Sequence, residues 1–100
     1  MAPRSKLHAK LKEIGVKQVH YNPPESVKLQ YPCIIYNLDD ANSEHADNAK
    51  YIKYRRYTLT LIDGDPDSVY IDPILELPLC SFDRSYKSEG LNHFTFTIYN

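Results

Sequence analysis

The sequence predicts an α+β domain in which a small antiparallel β-sheet carries helices on one face, in the order α-β-β-β-α-β-β. Residues 57–62 and 93–99 alternate apolar and polar side chains, which is typical of half-buried strands. Residues 5–14 instead place apolar side chains at helical spacing. Because a chain of 100 residues forms one hydrophobic core, we expect a single domain over residues 1–100.

A helix is predicted over residues 5–14 from the spacing of three apolar side chains: Leu7, Leu11 and Ile14. Ser5 is suited to cap the start of this helix, and Gly15 is placed to end it. Residues 17–21 then predict a short edge strand, before two prolines break regular structure.

A long, protruding β-hairpin is predicted next. Residues 31–38 form its first strand, which Pro32 opens at a position where the missing amide is tolerated. The polar residues 39–50 are expected to form the tip, and residues 51–62 the second strand. At ~3.3 Å per residue the second strand would span about 40 Å, which exceeds what the sheet of so small a domain needs. Residues 51–56 are therefore expected to leave the domain and to contact another molecule.

An acidic turn follows the second strand. Asp63, Asp65 and Asp67 match the first ligand positions of a calcium loop, but Ser68 and Ile74 stand where glycine and a bidentate glutamate are needed. A turn that leads into a helix cap is therefore favoured. A short helix is predicted after the turn, over residues 72–77, with its apolar side chains facing inward.

A final hairpin ends the predicted domain. Residues 80–86 and 93–99 are its strands, and Ser88-Glu89-Gly90 forms the turn. In the last strand three alternate side chains are expected to face the core: Phe94, Phe96 and Ile98.

The charges of the chain are separated along the sequence although the net charge is only −1. This net charge gives no global field for nucleic acid or membrane binding. The basic segment lies within residues 1–20 and the acidic one within residues 63–76, and such separation suits head-to-tail association between copies. Cys33 and Cys80 are far apart without metal-type spacing, and the sequence shows no signal peptide or transmembrane run, so free thiols in a reducing cytoplasm are expected.

Catalytic and cofactor motifs were sought without success. The three glycines have no phosphate-loop spacing, and the four histidines (His8, His20, His45 and His93) have no ligand-like spacing. An enzyme is therefore not expected, and no cofactor or metal is predicted. A metabolic enzyme would have only the imperfect aspartate run to support it.

Tyrosines and cations alternate at the start of the second hairpin strand: Tyr51, Lys53, Tyr54, Arg55, Arg56 and Tyr57. Three interpretations are open. The segment resembles a platform for single-stranded nucleic acid, where aromatic rings stack on bases and cations bind phosphates. It is also typical of an exposed strand that charge keeps soluble. The third interpretation is an arm that pairs with a neighbouring subunit.

Several short segments, taken in their order and spacing, resemble the tail-terminator or tail-completion proteins of long-tailed bacteriophages, which are often labelled minor capsid or head–tail joining proteins. The resemblance covers roughly residues 31–99, and the segments that carry it are Tyr31-Pro32-Cys33-Ile34-Ile35-Tyr36, Ala46-Asp47-Asn48, Arg56-Tyr57-Thr58-Leu59-Thr60-Leu61-Ile62, Asp65-Pro66-Asp67-Ser68, Leu77-Pro78, Phe82-Asp83-Arg84 and Leu91-Asn92-His93.

This resemblance implies a structural virion protein of the head–tail junction. It implies a ring, usually a hexamer, that caps the tail-tube protein, ends tube polymerisation and meets the head-completion or connector protein, while DNA passes through the lumen without sequence-specific binding. Such a protein assembles in the bacterial cytoplasm and needs no catalytic residue, cofactor or membrane. The alternatives are another neck or connector ring and a small single-stranded nucleic-acid-binding module. We expect subunit or partner contacts at Asp47, Tyr51, Lys53, Tyr54, Arg55, Arg56, Asp63, Asp65 and Asp67.

Overall fold

A computed structural model gives the fold and describes residues 4–40 and 55–100. Its helices and strands follow the predicted order of an α+β domain: α1 (Arg4–Glu13), β1 (Gln18–Tyr21), β2 (Cys33–Asp40), β3 (Arg56–Asp63), α2 (Ile71–Leu75), β4 (Cys80–Ser88) and β5 (Leu91–Tyr99). The predicted tip of the hairpin began at residue 39, but β2 continues through Asp39 and Asp40. The remaining tip residues and the start of the predicted second strand, residues 41–54, lie outside the described residues.

The five strands form one mixed sheet in the order β1-β2-β3-β5-β4. The predicted antiparallel pairing is confirmed for every neighbouring pair except β1 and β2, which run parallel. The reason is the connection between them. Residues 22–32 are enough chain to return to the end of the sheet where β1 began, which a parallel neighbour requires.

One face of the sheet carries the core, and both helices contribute to it. The predicted alternation in β3 and β5 is confirmed, because every second side chain of these strands packs under the helices. The cluster of buried side chains consists of Leu7, Leu11, Ile34, Tyr36, Tyr57, Leu59, Leu61, Ile74, Phe94, Phe96 and Ile98. The opposite face carries the intervening positions of β3 and β5, which are polar at Thr58, Thr60, Thr95 and Thr97, and the buried cross-strand pair Cys33 and Ile62. We call it the open face, since neither helix packs on it.

The helix boundaries differ slightly from those predicted. Because α1 begins at Arg4, Ser5 lies in the first turn and is not the N-cap residue, whereas Gly15 follows the helix in the left-handed region (φ +103°) as expected. The second helix begins at Ile71 after Tyr70, which makes no side-chain capping bond. Asp65 followed by Pro66 is the sequence pattern of an N-cap with proline at the first helical position, but it starts no helix, since residues 66–67 form a turn.

The turn between β4 and β5 is tight, with Ser88 opposite Leu91. Glu89 (φ +52°) and Gly90 (φ +79°) both have positive φ, as a two-residue type I′ turn requires. A bulge interrupts the pairing of β4 between Phe82 and Arg84. Among the described strands, β4 and β1 form the two outer edges of the sheet.

Candidate assembly interface

The expected contact residues fall into two groups that the structure describes and a third group outside the described residues. Arg55 and Arg56 lie at the start of β3, and the aspartates Asp63, Asp65 and Asp67 lie at its end and in the turn that follows. The other expected contacts lie outside the described residues: Asp47, Tyr51, Lys53 and Tyr54.

The base of the hairpin is fixed to Asn100, the residue that follows β5. The backbone amide of Arg55 donates to the carbonyl of Asn100 (3.1 Å), and the amide of Asn100 donates back to the carbonyl of Arg55 (2.9 Å). This reciprocal pairing extends the ladder between β3 and β5 by one residue. The side chain of Arg55 is exposed at this end of the sheet, so it is available to a partner.

Arg56 is engaged within its own chain. Its guanidinium Nε donates to Asp39 Oδ2 across the hairpin (3.0 Å), and it also contacts Tyr99 on β5. The hydrogen bond with Tyr99 and the negative charge of Asp39 raise the pKa of Arg56 above its ordinary value. Both side chains of the Asp39–Arg56 pair are partly exposed, so the pair orients the arginine and contributes little to stability.

The aspartate run forms successive turns. The carboxylate of Asp63 accepts a hydrogen bond from the amide of Asp65 (3.1 Å), and the carboxylate of Asp65 accepts one from the amide of Asp67 (2.9 Å). Each is an Asx-type turn, which explains the aspartate at every second position without a bound ion. The favoured interpretation of this segment as a turn is therefore confirmed.

The structure does not bring the arginines and the aspartates together. They flank opposite ends of β3, and a strand of this length separates Arg56 from Asp63 by about 23 Å. The start of β3 therefore carries two arginines, one of them paired with Asp39, and the end of β3 carries the aspartates.

A polar cluster beneath α1 was not anticipated. The ring nitrogen Nδ1 of His8 lies 2.7 Å from the hydroxyl of Tyr36, and Arg4 donates to the same hydroxyl (3.3 Å). The Arg4 guanidinium also lies over the ring of Tyr21, 4.1 Å from its centroid. These contacts fix the first turn of α1 to β1 and β2.

Electrostatics favour the neutral form of His8 in this cluster. Desolvation is the first cause that lowers its pKa, followed by the positive charges of Lys12 and Arg4. Burial also raises the pKa of Tyr36, whose side chain is fully buried. The neutral pair therefore satisfies the buried hydroxyl and attaches α1 to the sheet. The sequence signal was weak, because His8 sits next to Leu7 on a helix otherwise rich in lysine.

An aromatic stack on the open face was also missed. The ring of Tyr86 on β4 stacks on His93 of β5, with ring centroids 4.8 Å apart and planes 12° apart. Arg84 lies 5.3 Å from the centroid of the Tyr86 ring. Pairing across the β4–β5 ladder brings these side chains together, so only the register reveals the stack.

The two cysteines are free thiols, and neither is activated. Burial raises the pKa of Cys33 to about 11. Burial and then the charge of Asp83 raise the pKa of Cys80 to about 11. A thiol with so high a pKa is a poor nucleophile at neutral pH.

Residues 4–40 and 55–100 contain no group of three or more histidine, cysteine or carboxylate side chains that could hold a metal ion. No helix in this part of the chain is long and apolar enough to cross a membrane.

The chain was compared with protein-family models, with curated proteins and with solved structures, and none of them matches it. The resemblance to phage tail-terminator proteins therefore stays a prediction.

Proposed function

We propose that this protein is a structural component of the phage head–tail junction. In this role it forms a ring, usually of six copies, that caps the last ring of the tail-tube protein and joins it to the head-completion or connector protein. It acts by stoichiometric binding in the virion and not by catalysis, and DNA passes through the ring. If the protein is instead another neck or connector ring, it would use the same kinds of contact.

The proposal rests on the way the family-like segments coincide with the elements of the fold. The segments at residues 31–36 and 56–62 correspond to β2 and β3, which form the base of the hairpin. Those at residues 82–84 and 91–93 correspond to the paired strands of the final hairpin. These family-like segments therefore lie in the strands of the sheet, both in the inner strands that form the core and in the edge strand β4.

The basic end of β3 supports a partner contact there. Arg55 is exposed beside the hairpin base, while Asp39 and Tyr99 orient Arg56. Cations held on a rigid ladder lose little conformational entropy when a partner binds, so this end of the sheet suits a specific contact.

Charge reversal at the base of the hairpin tests the proposal. We expect the variant Arg55→Glu/Arg56→Glu to fold but no longer to cap tail tubes, because a partner's acidic surface would then meet two carboxylates. The measurement is negative-stain imaging of tubes polymerised from the tail-tube protein of the same genome, with and without the variant. A wild-type protein that leaves tube lengths unchanged would refute the proposed function, whereas a variant that limits tube length as effectively as the wild-type protein would refute the role of the two arginines.

Two controls separate partner binding from folding. Lys28→Glu reverses one exposed charge on the connection between β1 and β2 and should leave tube capping unchanged. Asp39→Arg/Arg56→Asp keeps the ion pair across the hairpin but moves the cation to β2. Intact folding of this swap, shown by circular dichroism, together with weaker capping would assign the effect to the position of the charge.

A single-stranded nucleic-acid-binding module is the second candidate, and the stack of Arg84, Tyr86 and His93 favours it. An exposed aromatic ring with an adjacent cation on an open sheet can stack on a base and hold a phosphate. This function predicts binding of a short oligonucleotide that weakens steeply with salt and that Tyr86→Ala reduces. An absence of binding at low salt would eliminate it.

A further inference from the structure

Among the described residues, the sheet ends in two strands whose outer backbone groups have no strand partner. One is β1 at one edge, and the other is β4 at the opposite edge. Every residue of β4 after Cys80 is exposed, whereas every residue of the neighbouring strand β5 is buried or half-buried. An exposed strand edge of this length is a template for pairing with another chain.

The two helices give these edges opposite charge. The first helix packs against β1 and carries four exposed cations against one glutamate: Arg4, Lys6, Lys10 and Lys12. The second helix packs against β4, and it carries exposed Asp72 in its first turn and exposed Glu76 at its end. Both helices cover the same face of the sheet. The two helices beside the edges are therefore of opposite charge, although β4 itself carries both signs, at Asp83, Arg84 and Lys87.

The β4 edge also exposes apolar side chains beside the acidic helix. Leu79 is 56% exposed and Phe82 is 44% exposed, and Leu75 at the end of α2 is 38% exposed. A neighbouring basic helix can cover such side chains with the alkyl chains of its lysines. The edge thus offers backbone, charged and apolar contacts together.

The strand directions decide how two copies would meet. From the pairing within the sheet, β1 runs opposite to β4. Two copies placed edge to edge in the same orientation would therefore pair β4 of one with β1 of the next in the antiparallel sense. This arrangement keeps the helices on one face and sets the acidic α2 beside the basic α1 of the neighbour.

The alternative of two β4 edges meeting about a two-fold axis is disfavoured by charge. That arrangement would set two acidic α2 helices near each other, and like charges at an interface oppose association. A heterologous contact between unlike edges avoids this repulsion, and such contacts form closed rings when the rotation closes.

We infer that the β4 edge of one subunit binds the β1 edge of a second copy of this chain, so that the sheets join through antiparallel pairing and α2 packs beside the neighbour's α1. This inference rests on the proposed ring and specifies which surfaces close it. The four residues of β1 limit the backbone joint to a few hydrogen bonds. Charge between the helices therefore determines which edges meet.

Charge reversal of each helix, and of both, tests the inference. The first variant is Lys6→Glu/Lys10→Glu on α1, and the second is Asp72→Lys/Glu76→Lys on α2. Sedimentation velocity at low ionic strength measures self-association of each full-length protein. We expect each variant alone to associate roughly tenfold more weakly or worse than the wild-type protein, because like charges then face each other across the joint.

Samples in which the charge complementarity between the two helices is restored distinguish a lost edge contact from a loss of folding. A chain with all four substitutions has a reversed but complementary pair of edges, so we expect it to associate again. An equimolar mixture of the two single-helix variants should also associate, with the variants alternating around the ring. Hydrogen exchange should then show new protection of residues 80–88 in every associating sample.

Three outcomes would overturn the inference. One is association of both variants as strong as that of the wild-type protein. Another is an α1 reversal without effect, which would point to two β4 edges. The third is a wild-type chain that stays monomeric both free and on tail tubes. If the wild-type protein caps tail tubes but the charge variants do not change self-association as expected, the edge contact alone is refuted. If the variants change self-association as expected but the wild-type protein does not cap tail tubes, the proposed function alone is refuted.

Discussion

The two strands of the final hairpin have the same length and pair along their whole length, yet their environments are opposite. Strand β5 buries Phe94, Phe96 and Ile98 under the helices, and its other side chains are half-buried. Strand β4 is half-buried only at Cys80 and exposed at all later positions. A phenylalanine of each strand meets the other across the ladder, with Phe82 and Phe96 5.5 Å apart between ring centroids.

The difference shows that position in the sheet, and not pairing, determines burial. Strand β5 lies between β3 and β4, so neighbours cover it from both sides. Strand β4 has one neighbour, and the short α2 covers only its beginning. The inner strand β5 therefore contributes side chains to the core, while the side chains of the edge strand β4 are largely free to suit a partner.

The largest difference between the two strands is expected when one phenylalanine of each strand is replaced by alanine. Phe96→Ala removes a fully buried ring and should lower the free energy of unfolding by about 3–5 kcal/mol. Phe82→Ala removes a half-exposed ring and should cost no more than about 1.5 kcal/mol, chiefly through the lost ring pair. Urea unfolding of both variants measures the difference. Equal losses would show that β4 belongs to the core.

A smaller effect is expected where side chains connect the two strands on the open face. The Thr97 hydroxyl donates to Asp83 Oδ2 at 2.7 Å, and the Thr95 hydroxyl donates to the carbonyl of Arg84 at 3.1 Å. Thr97→Val should cost about 1 kcal/mol of unfolding free energy, since it also removes the partner of a charged acceptor at the bulge. Asp83→Asn keeps an acceptor there and serves as the matched control. A fully stable Thr97→Val variant would mean that the bulge holds β4 without this bond.

The smallest effect concerns Cys80, the one residue of β4 that is not exposed. Its pKa is raised to about 11, first by burial and then by Asp83, so the thiolate is scarce at neutral pH. In a Cys33→Ala background, the alkylation rate of the folded protein should rise about tenfold per pH unit from about pH 8 to about pH 10. A urea-unfolded sample should instead level off near the ordinary thiol pKa. A plateau near pH 9 in the folded protein would show that Cys80 is exposed like the rest of β4.

Much of the fold could be predicted because local sequence determined it. The alternation of Tyr57, Leu59 and Leu61 identified β3 and its buried face, and Phe94, Phe96 and Ile98 did the same for β5. Gly15 and Gly90 marked the end of α1 and the last turn through positive φ. Each of these signals acts over a few residues, so no tertiary information was needed.

The missed features depend on which strands become neighbours. Nothing in residues 18–21 indicates a parallel partner, since the path of residues 22–32 decides the direction of pairing. The spread of polar and apolar side chains in β4 gave no sign of an edge, because exposure came from the strand order. The arrangement of basic and acidic helices at opposite edges likewise depends on that order. For the candidate interface, the sequence identified Arg55 and Arg56 but not the Asp39 partner across the hairpin.

The tight turn at Glu89 and Gly90 has a consequence for the order of folding. A hairpin closed by two residues forms within about 1–10 μs, whereas β3 must reach β5 across the intervening α2 and β4. Contacts between distant parts of a chain form later because loop closure costs entropy. We therefore expect β4 to pair with β5 first and to hold it extended until β3 docks on the free side. The strand that contributes least to the finished core would then act as the template on which that core is assembled.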